Sequence, residues 1–209
     1  MVPNGRLLTP QRPHAELLAG CVTGSEAYLQ GALHDGTWNA LHATYRFGPS
    51  DRRWLEVLSE ILGSLGHRSW TYREGRDRQF WVLETKAPFL DVDYDASHLV
   101  GRPEGLAYVR GYFDAEGGMP KNSKARLYLQ LCQKNRPNLE TARTILESWG
   151  ITCGRVHNPS RAVDPHYWRF YVRAGSHQRF MRMVGSWHPR KHTQMRDRLV
   201  AEAANSQPG

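Results

Sequence analysis

A stripe of small residues, met twice in the chain, constrains the fold more than any other feature. Residues 107–118 read A-Y-V-R-G-Y-F-D-A-E-G-G, so Ala107, Gly111 and Ala115 recur every four residues. On a helix that spacing lines one face, and a face without side-chain bulk lets a second helix backbone come close. Glu116 falls in the last turn, where the helix dipole is negative and disfavours a carboxylate by a few tenths to about 1 kcal/mol. Gly117 and Gly118 then predict a left-handed stop. Upstream, residues 27–37 read A-Y-L-Q-G-A-L-H-D-G-T. Ala27 and Gly31 repeat the stripe, Asp35 the terminal carboxylate and Gly36 the stop. If the stripes pack on each other, both carboxylates leave the same end of the pair. Like charges held there raise a pKa. A divalent cation such as magnesium, which takes oxygen ligands and keeps several waters, relieves that conflict.

The rest of the chain repeats around these motifs. The stretch L-E-T-A-R-T-I-L-E-S-W-G-I from Leu139 matches L-E-V-L-S-E-I-L-G-S-L-G-H from Leu55 at an offset of 139 − 55 = 84, and the motifs are offset by 116 − 35 = 81. In the first half, alternation predicts one strand over 39–47 with Leu41, Ala43, Tyr45 and Phe47 inward. Pro49-Ser50-Asp51 opens a helix that buries Trp54, Leu55, Leu58, Ile61, Leu62 and Leu65 and ends at Gly66. A hairpin over 67–84 turns near 74–77. In the second half a strand is expected over 125–134 with Leu127, Leu129 and Leu131 inward. A helix over 139–149 follows, then a hairpin of 152–158 with 167–174. Helices are expected over 176–184 and 192–204. The resulting α+β organisation has an N-terminal arm at 1–24, a first repeat at 25–90, a linker at 91–104, a second repeat at 105–190 and a C-terminal helix and tail at 191–209.

Charge narrows the partners. Lys and Arg number 28 against 20 Asp and Glu, a net charge of +8, with a sequence pI of about 9.7. That balance favours a polyanion, bound through phosphate contacts and counterion release. The outward faces of the strands carry residue types that read or hold double-stranded DNA: Arg126, Tyr128, Gln130, Lys134, Arg155, Arg169, Tyr171 and Arg173 in the second half, with Lys121 beside them. His42, Thr44, Arg46, Arg68, Arg73, Arg76 and Arg78 are the first-half equivalents. Arginine pairs with guanine, glutamine with adenine, and lysine mainly holds phosphate. The three cysteines, Cys21, Cys132 and Cys153, show no C-x-x-C spacing, and read as free thiols in a reducing compartment. No apolar run is long enough for a membrane span, and Pro3, Pro10 and Pro13 occupy the place of a secretory leader. A monomeric cytoplasmic protein, not secreted and with no membrane partner, is the expectation. His188 and His192 have a helical zinc spacing, but Pro189 stands between them and no further ligand is near in sequence.

The stretch 109–117, with its A-Y lead-in and D-A-E-G ending, resembles the LAGLIDADG motif of homing endonucleases; the first copy is one residue shorter between glycine and carboxylate. The resemblance covers residues 25–191. It implies duplicated αββαββ(α) repeats about a pseudo-two-fold axis, with antiparallel sheets forming a DNA-binding saddle. It also implies a monomeric endonuclease that cuts a long asymmetric site with Mg2+ or another divalent cation such as Mn2+, Ca2+ supporting a non-cleaving complex. Asp35 and Glu116 match the metal-binding carboxylates. Gln133 matches a strand-end residue that orders water, and Lys191 an active-site lysine. By the same resemblance, a non-cleaving DNA- or RNA-binding protein, such as an intron maturase or a transcription factor, is the second reading. The endonuclease module of an intein is a third, which Met1 and the lack of a splicing junction disfavour. Asp114 is expected to be structural.

Overall fold

The computed structural model describes residues 24–48, 51–75, 80–122 and 125–205. Apart from Gly24, the expected N-terminal arm lies outside them, as do Cys21, Pro49, Arg76 and Arg78. The first half runs α1 (Ser25–Ala32), a 3-10 turn (Leu33–Asp35), β1 (Gly36–Asn39), β2 (Thr44–Phe47), α2 (Arg52–Ser64), β3 (Ser69–Glu74) and β4 (Phe80–Thr85). After a 3-10 turn at Ala96–Leu99, the second half runs α3 (Pro103–Glu116), β5 (Gly117–Gly118), β6 (Gln130–Gln133), α4 (Arg136–Ser148) and β7 (Trp168–Tyr171). It closes with α5 (His177–Met183) and α6 (Pro189–Asn205). Two antiparallel sheets result, ordered β1-β2-β4-β3 and β5-β6-β7.

The duplication is visible residue by residue. Helices α2 and α4 are both 13 residues long and start 136 − 52 = 84 positions apart. Their caps keep the same offset: the Asp51 side chain accepts from Arg53 N, and the Asn135 side chain from Asn138 N. An accepting side chain at that position satisfies one of the orphan amides of the first turn. Past both helices Gly66 and Gly150 take positive φ, +80° and +69°, the left-handed stop that glycine supplies without strain. On α2 the predicted face is buried, with Trp54, Leu55, Leu58, Ile61 and Leu62 at 1 % exposure or less. Each contributes about 1.5–3 kcal/mol through area removed from water.

The two small stripes do meet. A Cβ on Gly31 would stand 2.0 Å from Tyr108 O, and one on Gly111 2.0 Å from Tyr28 O. The contact is reciprocal, as a pseudo-two-fold axis between α1 and α3 requires, and only glycine allows the backbones so close. Two hydroxyl bonds flank the seam at the common offset of 80. Tyr28 OH donates to Asp114 Oδ2 (2.8 Å), and Tyr108 OH lies 2.6 Å from His34 Nε2. Asp114 also accepts from the amides of Trp187 (2.8 Å) and His188 (3.0 Å) and from the Ser186 hydroxyl. The expected structural role of Asp114 holds: buried and fully bonded, it ties α3 to α1 and to the segment before α6.

Four local expectations are corrected. First, residues 39–47 are not one strand but the hairpin of β1 and β2. Leu41 N donates to Asn39 Oδ1 (3.2 Å), the side-chain turn that Asn favours, Ala43 takes φ +49°, and Leu41 is 86 % exposed instead of inward. Second, Gly117 and Gly118 are not left-handed; Gly117 is extended (φ −83°, ψ 146°) and begins β5. Glycine is needed there for space, because a Cβ would fall 2.2 Å from the Phe113 ring at Gly117 and 2.6 Å from Gln130 Nε2 at Gly118. Third, the strand expected over 125–134 is confined to Gln130–Gln133; at its start the carbonyls of Asn122 (3.2 Å) and Ala125 (2.9 Å) are taken by Arg198 of α6. Fourth, residues 152–158 pair with β7 only at Cys153↔Val172 and His157↔Arg169. Four steps oppose three, the one-residue excess of a β-bulge. Pro189, read as a breaker, instead opens α6, where its missing N–H costs nothing.

Candidate metal and nucleic-acid site

Asp35 closes the 3-10 turn after α1 and Glu116 is the last residue of α3. Each is followed by the glycine that enters the first strand of its sheet, so the carboxylates emerge where the helix pair meets both sheets. The shorter first motif is compensated by its winding. From Ala32 to Asp35 three 3-10 steps of about 2.0 Å rise roughly 6 Å, as do four α steps of about 1.5 Å from Tyr112 to Glu116.

Electrostatics marks the two as a pair. Glu116 is pushed up to about 7, first by loss of hydration and then by the charge of Asp35; Lys191 and a hydrogen bond from Gln133 oppose the rise. Asp35 is raised to about 6 by loss of hydration, with Lys191 again opposing. Gln133 sits at the end of β6, and its Oε1 accepts from Lys134 N (2.7 Å). That bond turns the amide so that its NH2 serves Glu116. The register pairs Gly36 with Phe47 and Gly117 with Leu131. Gln133, two residues past Leu131, therefore corresponds to Pro49, which has no side-chain donor.

Lys191, matched above to an active-site lysine, is neither exposed nor free to hold a phosphate. It is 3 % exposed, and its Nζ donates to the carbonyls of Phe113 (2.5 Å), Asp114 (3.0 Å) and Gly117 (2.7 Å). It neutralises the negative end of α3 from inside. Burial lowers its pKa to about 8 despite the Asp114 charge.

The donor set fits a hard divalent cation. Two carboxylates with raised pKa lie close enough for the charge of Asp35 to act on Glu116, and among the described residues no group of three or more His, Cys, Asp or Glu converges. A cation there takes its remaining oxygens from water and phosphate, the manner in which magnesium is usually held. The sign of the pH effect follows. Both folded-state pKa values lie above the ordinary carboxylate range, so the pair contributes stability below about pH 4, and that contribution is lost as pH rises through 6 and 7. The thermal midpoint of metal-free wild type should therefore fall behind that of a D35N/E116Q variant between pH 5 and 8. Lys191→Met should cost on the order of 3 kcal/mol through three unpaired carbonyls, and should enlarge that divergence and extend it to higher pH, because Lys191 holds both carboxyl pKa values down. A divergence unmoved by Lys191→Met would contradict this coupling.

The sheet faces differ between halves. In the second sheet Gln130 pairs with Tyr171 and the half-buried Cys132 with Arg169. The Arg169 guanidinium lies over the Tyr171 ring (5.2 Å), and no ion pair involves it among the described residues. Lys121, Arg126, Tyr128, Lys134, Arg155 and Arg173 are exposed, though they lie outside the strands β6 and β7. In the first sheet the expected basic face is interrupted. Thr44 is fully buried and donates to Glu84 Oε2 (3.0 Å), so its hydroxyl is already engaged at the floor of the cleft it shares with His42, Trp70 and Lys86. Arg73 pairs with Trp81, the ring that carries the Arg52 guanidinium, and so lies on the side of α2. Arg46 does share the outer face, but with two carboxylates, Glu74 (2.5 Å) and Glu84 (3.2 Å). Of the residues expected there, His42 and Arg68 are exposed and form no ion pair with a carboxylate among the described residues. Sequence reasoning missed Glu84 because it lies 38 positions from Arg46; its place in an alternating strand was the available signal.

Comparison with known proteins agrees with this geometry. Residues 104–185 match the family model described as a LAGLIDADG-like domain. The chain is similar to the homing endonuclease I-DmoI in complex with DNA and Mn (TM-score 0.58, 17% identity, 79% of this chain and 98% of that one). It is similar to I-DmoI in complex with DNA and Ca (TM-score 0.61, 16% identity, 83% and 97%). It is also similar to full-length DUF199/WhiA from Thermatoga maritima (TM-score 0.63, 14% identity, 93% and 66%). No curated protein matches it significantly in sequence. The family model thus covers the second half, and the chain as a whole shares the fold of these LAGLIDADG structures.

Proposed function

We propose that the chain is a site-specific, metal-dependent DNA endonuclease that acts on a long asymmetric duplex site. The single observation that carries this reading is the coupled pair Asp35 and Glu116, brought to one place by the glycine seam where the two sheets begin. Asp35 and Glu116 would hold the divalent cation, which when bound supplies an activated water and stabilises the leaving oxygen of an in-line displacement. Glu116 is oriented by Gln133, and Lys191 holds the end of α3 that carries it. The DNA and divalent metals in the I-DmoI complexes support this choice of partner and cofactor.

A non-cleaving DNA-binding role is the second reading. Gln133 has no counterpart able to donate in the first half, which favours it. Incubation with duplex DNA spanning the sequence that flanks the gene, with magnesium or with EDTA, separates the two. Magnesium-dependent double-strand breaks at one position support the endonuclease. Tight binding with intact DNA in both conditions overturns it in favour of the binder.

A further inference from the structure

We propose that Glu74 is an internal counter-ion that masks Arg46 from DNA phosphates, so that the first sheet gives up non-specific affinity. The proposal rests on the outer sheet faces being the DNA-contacting ones. Arg46 stands on β2, Glu84 on β4 and Glu74 on β3, and the sheet order is β1-β2-β4-β3. Arg46 therefore reaches over β4 to meet β3, a span of about 10 Å at about 4.8 Å per strand. It lies along the face instead of standing off it. Its Nη2 donates to Glu74 Oε1 (2.5 Å) and to Tyr72 OH (3.4 Å), and its Nε lies 3.2 Å from Glu84 Oε1. Glu84 is held beneath by Tyr72 OH (2.5 Å) and Thr44 Oγ1 (3.0 Å). Glu84 is buried, whereas the Glu74 side chain is 48 % exposed at the strand end. One carboxylate thus anchors the guanidinium and the other is free to swing away. A phosphate, present at every step of any duplex, must compete with Glu74 for Arg46. A base edge that offers a two-point acceptor repays the exchange, and selectivity arises by raising the cost of wrong sites.

The test is the salt dependence of binding to a random-sequence duplex, by fluorescence anisotropy, for wild type, Glu74→Gln, Arg46→Met and the double variant. The slope of log affinity against log salt counts phosphate contacts at about 0.9 each. Glu74→Gln should steepen the slope by about 0.9 and tighten binding about fivefold near 0.1 M salt. The double variant should return to the wild-type slope, and Arg46→Met alone should leave the slope unchanged. The Glu74 side chain is 48 % exposed at the end of β3, so its variant is expected to fold as wild type does. A Glu74→Gln slope equal to wild type, or a steeper slope that persists without Arg46, overturns the masking. If wild type shows no salt-dependent binding to duplex DNA at all, the DNA-binding reading falls first.

Discussion

Replacing Gly111 by valine is expected to remove more than about 4 kcal/mol of stability, a large share of what a domain has. The new Cβ would stand 2.0 Å from Tyr28 O and 2.7 Å from Ala32 N. Both are backbone atoms inside α1, so neither can rotate aside as a side chain could. Relief requires α1 and α3 to separate, and that opens the reciprocal contact at Gly31 and the bond of Tyr28 to Asp114. The cost should exceed about 4 kcal/mol, beyond the usual overpacking range, against a total stability of roughly 5–15 kcal/mol. Gly63 on α2 is the control: a Cβ there meets nothing within 4 Å. Gly63→Ala should be neutral or stabilise by about 0.5–1 kcal/mol through helix propensity. Thermal melts by circular dichroism check both. A Gly111→Val midpoint within a few degrees of wild type would show that the seam does not hold the halves together.

Glu116→Gln and Asp35→Asn are each expected to slow DNA cleavage by about a thousandfold or more. Losing a ligand of a bound cation removes several kcal/mol of transition-state stabilisation, and roughly 4 kcal/mol corresponds to about three powers of ten in rate. Affinity for the same duplex in calcium should stay within about threefold, because neither carboxylate contributes a positive charge to the sheet faces. Single-turnover cleavage and anisotropy on the same preparations read the two quantities separately. A variant that loses binding and cleavage together would assign its carboxylate to folding instead.

The duplicated organisation was legible before any coordinates. The offset of 84 between the Leu55 and Leu139 stretches reappears in the caps Asp51 and Asn135 and in the stops Gly66 and Gly150. Helices α2 and α4 were legible because apolar period, cap and stop all lie within one short stretch of chain. Strands were read less well. The hairpin turn at residues 40–43 contains neither glycine nor proline, so its side chains continued an alternation that the backbone had abandoned. Residues 125–129 alternate as a strand would, yet the Ala125 carbonyl is taken by Arg198, 73 positions away, and among the described residues only Leu129 bonds to the segment after β7, through Val172 N.

The candidate site divides along the same line. The carboxylates at 35 and 116 and the glycines that bring their helices together follow from residue type and spacing, because a helix converts a four-residue repeat directly into one face. The tertiary structure decided which charges remain available around them. Lys191 is turned inward onto the end of α3, Thr44 is buried and bonded to Glu84, and Arg46 is laid across β4 to Glu74. Each of those outcomes depends on a partner from another strand or from the other half of the chain. A charged side chain takes its role from the nearest opposite charge or free carbonyl, and linear order does not record that distance.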